Sequence, residues 1–167
     1  MQLDNNTVYL LLGSNLGRRE EVLKMALTSI NERVGAIIRT SSIYETAAWG
    51  KTDQPNFLNI AVEVKTELTP IDLLDEVLSI ESDLGRVRYE KWGARVIDID
   101  IILYEAEIIN IAGRLQIPHP EMQHRKFVLE PLNEIASSVV HPIFLQDIAT
   151  LLASLDDELS VAKQNVN

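Results

Sequence analysis

Over Phe57–Thr66 apolar and polar residues alternate with period two. Leu58, Ile60, Val62 and Val64 fall on one face, and Asn59, Ala61, Glu63 and Lys65 on the other, which predicts a half-buried strand. Thr7–Leu12 reads as an earlier strand, and Gly13-Ser14-Asn15-Leu16-Gly17 as the turn after it, with Asn15 placed to cap the next helix. Val22, Leu23, Ala26, Leu27, Ile30 and Val34 recur at helical spacing up to Gly35. Ala36–Glu45 predicts a second strand. Thr69-Pro70-Ile71-Asp72 combines a Thr cap, Pro in the first turn and an acid, and opens a helix through Leu73, Leu74, Val77, Leu78 and Leu84 to Gly85. Val96–Tyr104 predicts a further strand, and a turn at 105–107 followed by Ile108–Ile111 predicts a hairpin with it. Shorter elements are expected around Leu115–Ile117, Phe127–Ile135 and Asp147–Leu155.

The order β-α-β-β-α-β predicts an α+β, ferredoxin-like fold: an antiparallel sheet with helices on one face, the other face open to ligands, and a C-terminal helical extension. One domain is expected over 1–167, with 161–167 as a frayed tail.

Composition narrows the function. The chain has 167 residues and a formal net charge of −10, which argues against nucleic-acid binding through a broad basic surface. The absence of cysteine excludes disulfides and thiolate chemistry. No apolar run approaches the length of a membrane span, and no targeting segment is evident. A cytoplasmic monomer is the expectation.

Within Arg95-Val96-Ile97-Asp98-Ile99-Asp100-Ile101-Ile102-Leu103-Tyr104, two aspartates interrupt an apolar strand. Period two puts Asp98 and Asp100 on one face, about 6.6 Å apart at ~3.3 Å per residue, a spacing that suits one or two hard cations such as Mg²⁺. A wet strand face, or salt bridges to nearby arginines, accounts for the pair equally well in isolation. The preceding loop shifts the balance. Arg86, Arg88, Lys91 and Arg95 stand against Glu90 alone. Arginines that hold phosphate oxygens, beside carboxylates that hold Mg²⁺, are the inventory of phosphoryl transfer. No P-loop motif is present.

The remaining candidates carry weaker signals. The Gly13–Gly17 turn is read as structural rather than as a phosphate cradle. His119, between Pro118 and Pro120, is either a rigid turn or, with Arg125, a second cationic clamp. His141 is read as structural. Trp92, beside Gly93, sits on a candidate lid. Phe57 and Phe127 are core residues or the two sides of a clamp on a flat heterocycle.

Lys91-Trp92-Gly93-Ala94-Arg95-Val96-Ile97-Asp98-Ile99-Asp100-Ile101-Ile102 resembles the signature of the 6-hydroxymethyl-7,8-dihydropterin pyrophosphokinases of folate biosynthesis. The resemblance extends through Gly13–Gly17, Asp53–Asn59, Pro118-His119-Pro120 and Arg125-Lys126-Phe127. It implies Mg²⁺-dependent transfer of pyrophosphate from ATP to the pterin hydroxymethyl group, with AMP as the other product and two Mg²⁺ accompanying ATP. Asp98 and Asp100 match the metal-binding aspartates. Arg86 and Arg95 match arginines acting on the triphosphate, and His119 with Arg125 a phosphate-contacting pair. Arg88 and Arg114 match further nucleotide contacts, and Leu74 and Ile101 the adenine pocket. Phe57 and Phe127 match the pterin sandwich, Asn59 the side chain that reads its polar edge, and Thr46 a main-chain contact. Trp92 matches a residue closing over the nucleotide. Trp49 joins the pterin contacts in a loop where Ala47 and Ala48 replace prolines common in the family; Ala94 likewise stands where Pro is commoner. No residue is an evident general base. The competing functions are a Mg²⁺-dependent phosphohydrolase and a ferredoxin-like binding domain.

Overall fold

The computed structural model contains the strands β1 Asn6–Ser14, β2 Gly35–Thr40, β3 Tyr44–Thr46, β4 Phe57–Thr66, β5 Asp98–Tyr104, β6 Ile109–Ile111, β7 Leu115–Ile117 and β8 Val161–Lys163. Five of them order as β5-β1-β4-β3-β8, with β2 also paired to β4, and every pairing in this sheet is antiparallel. The helices are α1 Arg19–Arg33, α2 Pro70–Asp83, α3 Lys126–Ala136 and α4 Ile148–Ala153. The structure describes residues 5–15, 18–46, 56–85, 96–156 and 161–164. Each of the two βαβ crossovers skips a strand position, which the other fills, giving the expected ferredoxin-like sheet.

Alternation divides the core in two. Val8, Leu10 and Leu12 of β1, Leu58, Ile60, Val62 and Val64 of β4, and Ile99 and Ile101 of β5 pack under α1 and α2. Tyr9, Leu11, Ala61, Ile102 and Leu103 face the other way and pack with α3 and α4. The second face is therefore partly covered by helices, where the sequence pattern left it open. The cause is α3, whose Val128, Leu129, Leu132, Ile135 and Ala136 form a buried stripe. The candidate site lies at the β5 edge and the Ser14–Phe57 end of the sheet.

Several local expectations are corrected. The strand expected over 36–45 breaks at Ser41, whose Oγ accepts from Ala61 N at 2.9 Å in place of a backbone partner. Asn15 does not cap α1: Arg18 occupies the cap without a side-chain bond, and Asn15 is buried. Thr69 does cap α2, accepting from Asp72 N at 3.2 Å. The hairpin forms between β6 Ile109–Ile111 and β7 Leu115–Ile117, not with β5, because Gly113 at φ 71 supplies the tight turn. The tail expected to fray contributes β8, which pairs along all three residues of β3. No helix among the described residues is long and apolar enough to cross a membrane.

Candidate active site

The alternation of β5 sets its acidic edge. Ile99 and Ile101 turn into the core, so Asp98 and Asp100 emerge on the opposite face, Asp98 half-buried and Asp100 exposed. β5 is an edge strand, and its outward backbone groups need partners. Glu81 of α2 supplies one: its carboxylate is 4% exposed and accepts from Ile99 N at 2.6 Å. Beyond Asp100, His119 N donates to Ile102 O at 3.0 Å. The strand is thus pinned on both sides of Asp100.

A cleft of about 440 Å³ wraps this edge, a volume within the range of small-molecule sites. Its lining combines apolar side chains, among them Leu74 and Leu78 of α2, Ile101, Ile111 and Leu115, with polar ones, among them Asp98, Asp100, Arg114 and His119. A flat heterocycle suits the apolar set, and a polyanion with a cation the polar set. Arg114, which lines the cleft, donates to Asp75 Oδ1 of α2 at 2.6 Å; both side chains are about half exposed. The pair is a weak tether.

Burial lowers the pKa of His119; Asp100 works against that and Arg125 adds to it. The ring is accordingly neutral near pH 7. Its Nδ1 accepts from Glu121 N at 3.2 Å, which leaves Nε2 as the donor. Arg125 lies 5.7 Å from the centroid of the Phe127 ring, within cation–π range.

The second half of the site is a row across the sheet. The register aligns Asp98, Gly13, Asn59 and Tyr44 on adjacent strands, each step about 4.8 Å. A Cβ at Gly13 would lie 2.8 Å from Asn59 Oδ1. The Asn59 amide therefore lies over Gly13, leaning toward Asp98. Gly13 lies within β1 rather than in the turn expected to start there, and what it provides is room for Asn59. On the same face Thr46 pairs with Phe57. Phe57 is half-buried, and Thr46 Oγ1 is buried without a hydrogen-bond partner, a group that a bound molecule would satisfy. Phe127, in the first turn of α3, packs against the core of this face.

The structure thus joins Leu74, Ile101, Asp98, Asp100, Arg114 and His119 around one cleft, and sets Thr46, Phe57 and Asn59 at the end of the same sheet. Arg125 and Phe127 stand together outside the cleft wall. The candidates Arg86, Arg88, Trp92, Arg95 and Trp49 lie outside the described residues. Among the described residues no group of three or more His, Asp or Glu could by itself hold a metal. Glu81 was missed by the sequence reasoning. Its signal was present: Leu73, Val77 and Glu81 recur every fourth residue, so the acid falls on the apolar stripe.

A family model described as 7,8-dihydro-6-hydroxymethylpterin-pyrophosphokinase (HPPK) matches residues 9–137. The 2-amino-4-hydroxy-6-hydroxymethyldihydropteridine pyrophosphokinase of Haemophilus influenzae is 46% identical over 137 residues, covering 81% of this chain and 85% of that one. The Bacillus subtilis protein of the same name is 46% identical over 136 residues, covering 81% of each. Among solved structures, Plasmodium falciparum HPPK-DHPS superposes with a TM-score of 0.75 at 20% identity. That match covers 91% of this chain and 43% of the larger one, and it supports the fold alone.

Proposed function

The chain belongs to the 7,8-dihydro-6-hydroxymethylpterin-pyrophosphokinase family, an enzyme family of folate biosynthesis, and on that premise we propose that it transfers pyrophosphate from ATP to 6-hydroxymethyl-7,8-dihydropterin. The hydroxymethyl oxygen forms a bond to the β-phosphorus. The bond from that phosphorus to the α,β-bridging oxygen breaks, and AMP leaves with that oxygen. The hydroxyl proton passes to solvent.

The observation that carries this reading is the position of Asp98. It borders the cleft on one side and, one strand step from Gly13, the Asn59 row on the other. A nucleotide in the cleft and a pterin over Asn59 meet at the acidic edge. Leu74 and Ile101 surround the adenine; Arg114 and His119 face the phosphates, and Arg125, outside the cleft wall, is assigned to them from sequence alone. Phe57 and Phe127 flank the pterin, with Thr46 and Asn59 on its polar edge. Arg86, Arg88, Arg95, Trp92 and Trp49 are assigned from sequence alone, the first three to the triphosphate, Trp92 to closure over it and Trp49 to the pterin.

Two same-face carboxylates fit Mg²⁺, which retains water and binds through one or two carboxylates plus substrate phosphates. Asp98 and Asp100 would hold two ions with ATP, and the ions would neutralise charge on the transferring group. The protein's own part is positioning. Glu81 and His119 keep β5 in place, and Gly13 lets Asn59 reach the pterin. Incubation with ATP, Mg²⁺ and the pterin tests the reading: AMP and pterin diphosphate in equal amounts support it. ADP or free phosphate would indicate another phosphotransfer, and no turnover a binding domain.

A further inference from the structure

Glu134 lies seven residues after Phe127 on α3, hence on the same helix face about 10 Å along the axis. Both of its carboxylate oxygens are engaged. Oε1 accepts from Tyr44 Oη at 2.7 Å. Oε2 accepts from Ser42 N at 3.0 Å and from Ser42 Oγ at 3.1 Å. Lys163 Nζ of β8 stands 3.7 Å from Oε1, and Lys163 is itself paired with Tyr44. The break in the strand at Ser41, the short strand β3 and the C-terminal strand β8 thus converge on one side chain of α3.

β3 has only three residues and pairs with β4 through Tyr44–Asn59, Glu45–Leu58 and Thr46–Phe57. Such a strand has little stability of its own. Burial opposes ionisation of Glu134, but the hydrogen bonds from Tyr44 and Ser42, with Lys163 nearby, hold its pKa below the ordinary value. Burial, reinforced by Glu134, raises that of Tyr44. The carboxylate stays charged and the phenol protonated, so these are charge-assisted bonds.

We propose that Glu134 is a positioning residue for the pterin half of the site: through Tyr44 and Ser42 it sets the distance between Phe127 on α3 and the Thr46–Phe57 end of the sheet. A ring held between two aromatic faces needs them about 7 Å apart, twice a contact of ~3.5 Å. The inference rests on the assignment of Phe57 and Phe127 to the pterin.

The test compares Glu134→Ala, Glu134→Gln, Tyr44→Phe and Phe127→Ala with the wild type, reading kcat and the KM of each substrate, with thermal midpoints as the fold control. Glu134→Ala should raise the pterin KM about tenfold and leave the ATP KM within about twofold. Glu134→Gln should recover part of the loss, since its amide oxygen still accepts from one donor. Tyr44→Phe, which deletes a single hydroxyl, should shift the pterin KM in the same direction by less, and it carries the test if Glu134→Ala does not fold. If Phe127→Ala raises the pterin KM while the Glu134 and Tyr44 variants leave it unchanged, or move both KM values equally, the inference is overturned and the substrate assignment survives. If Phe127→Ala leaves the pterin KM unchanged, the substrate assignment fails and takes the inference with it.

Discussion

Gly13→Ala should damage the enzyme without damaging the fold. The backbone of Gly13 is not in the left-handed region, so alanine meets no strain there. In the unfolded chain, alanine has fewer states to lose, a gain of about 0.4–1 kcal/mol for folding. The added Cβ would lie 2.8 Å from Asn59 Oδ1, while its next neighbours, Asn59 Cγ and Leu58 O, are at an ordinary 3.9 Å. Relief to about 3.4 Å needs a movement of roughly 0.6 Å, which the end of the Asn59 side chain can make cheaply. That movement takes the amide away from the pterin. A lost neutral hydrogen bond of about 0.5–1.5 kcal/mol lowers affinity roughly 2–12-fold, and misplacing the hydroxyl from the β-phosphorus lowers kcat further, up to about 10²-fold per ångström. The expected result is a 10–100-fold fall in kcat/KM for the pterin, an unchanged KM for ATP and an unchanged or slightly raised Tm. In an Asn59→Ala background the same substitution should cost almost nothing, because the clash is gone. Additive losses in that double-mutant cycle would refute the reasoning.

Asp98→Ala and Asp100→Ala should each lower turnover by at least about 10³-fold while circular dichroism stays native; near-wild-type rates in either would remove the metal role. Glu81→Ala leaves the Ile99 N–H without its acceptor inside the protein and should cost about 1–3 kcal/mol in denaturant unfolding, whereas Glu81→Gln should retain most of that stability. Acid should destabilise the fold from near neutrality. His141 is 2% exposed, burial lowers its pKa, and its Nδ1 accepts from Ile143 N and Phe144 N. The unfolded chain therefore takes up the proton first. The stabilisation is complete above the unfolded pKa of about 6.5 and is lost as pH falls through that value toward the folded pKa. His119 is shifted in the same direction, so His141→Asn should flatten only part of the slope in unfolding free energy between about pH 7 and 5; an unaltered slope would show that His141 contributes nothing to it.

Strand period two was enough to place Asp98 and Asp100 on one face of β5 and its isoleucines on the other, because that periodicity is local; that Asn59 shares the face of the aspartates emerges only from the register through Gly13. The fold class followed from element order for the same reason. What sequence did not disclose depends on contacts between distant segments. Glu81 looks like one more acid on a helix until α2 lies against β5. Glu134 gains its partners only when Ser42 and Tyr44 arrive from one distant segment and Lys163 from another. The role of Gly13 is set by a side chain 46 positions away, as the register with Asn59 makes plain. β8 was misread because its pairing with β3 is non-local, and a three-residue strand carries almost no periodic signal.

The central claim is that the edge of β5 is where the nucleotide and the pterin meet. Crystals grown with Mn²⁺ and a non-hydrolysable ATP analogue test it most directly, because manganese gives an anomalous signal at a site built for Mg²⁺. The account predicts anomalous density coordinated by both Asp98 and Asp100, with the triphosphate reaching His119 and the adenine between Leu74 and Ile101. Density away from the two aspartates, or a nucleotide bound with neither carboxylate engaged, would contradict it.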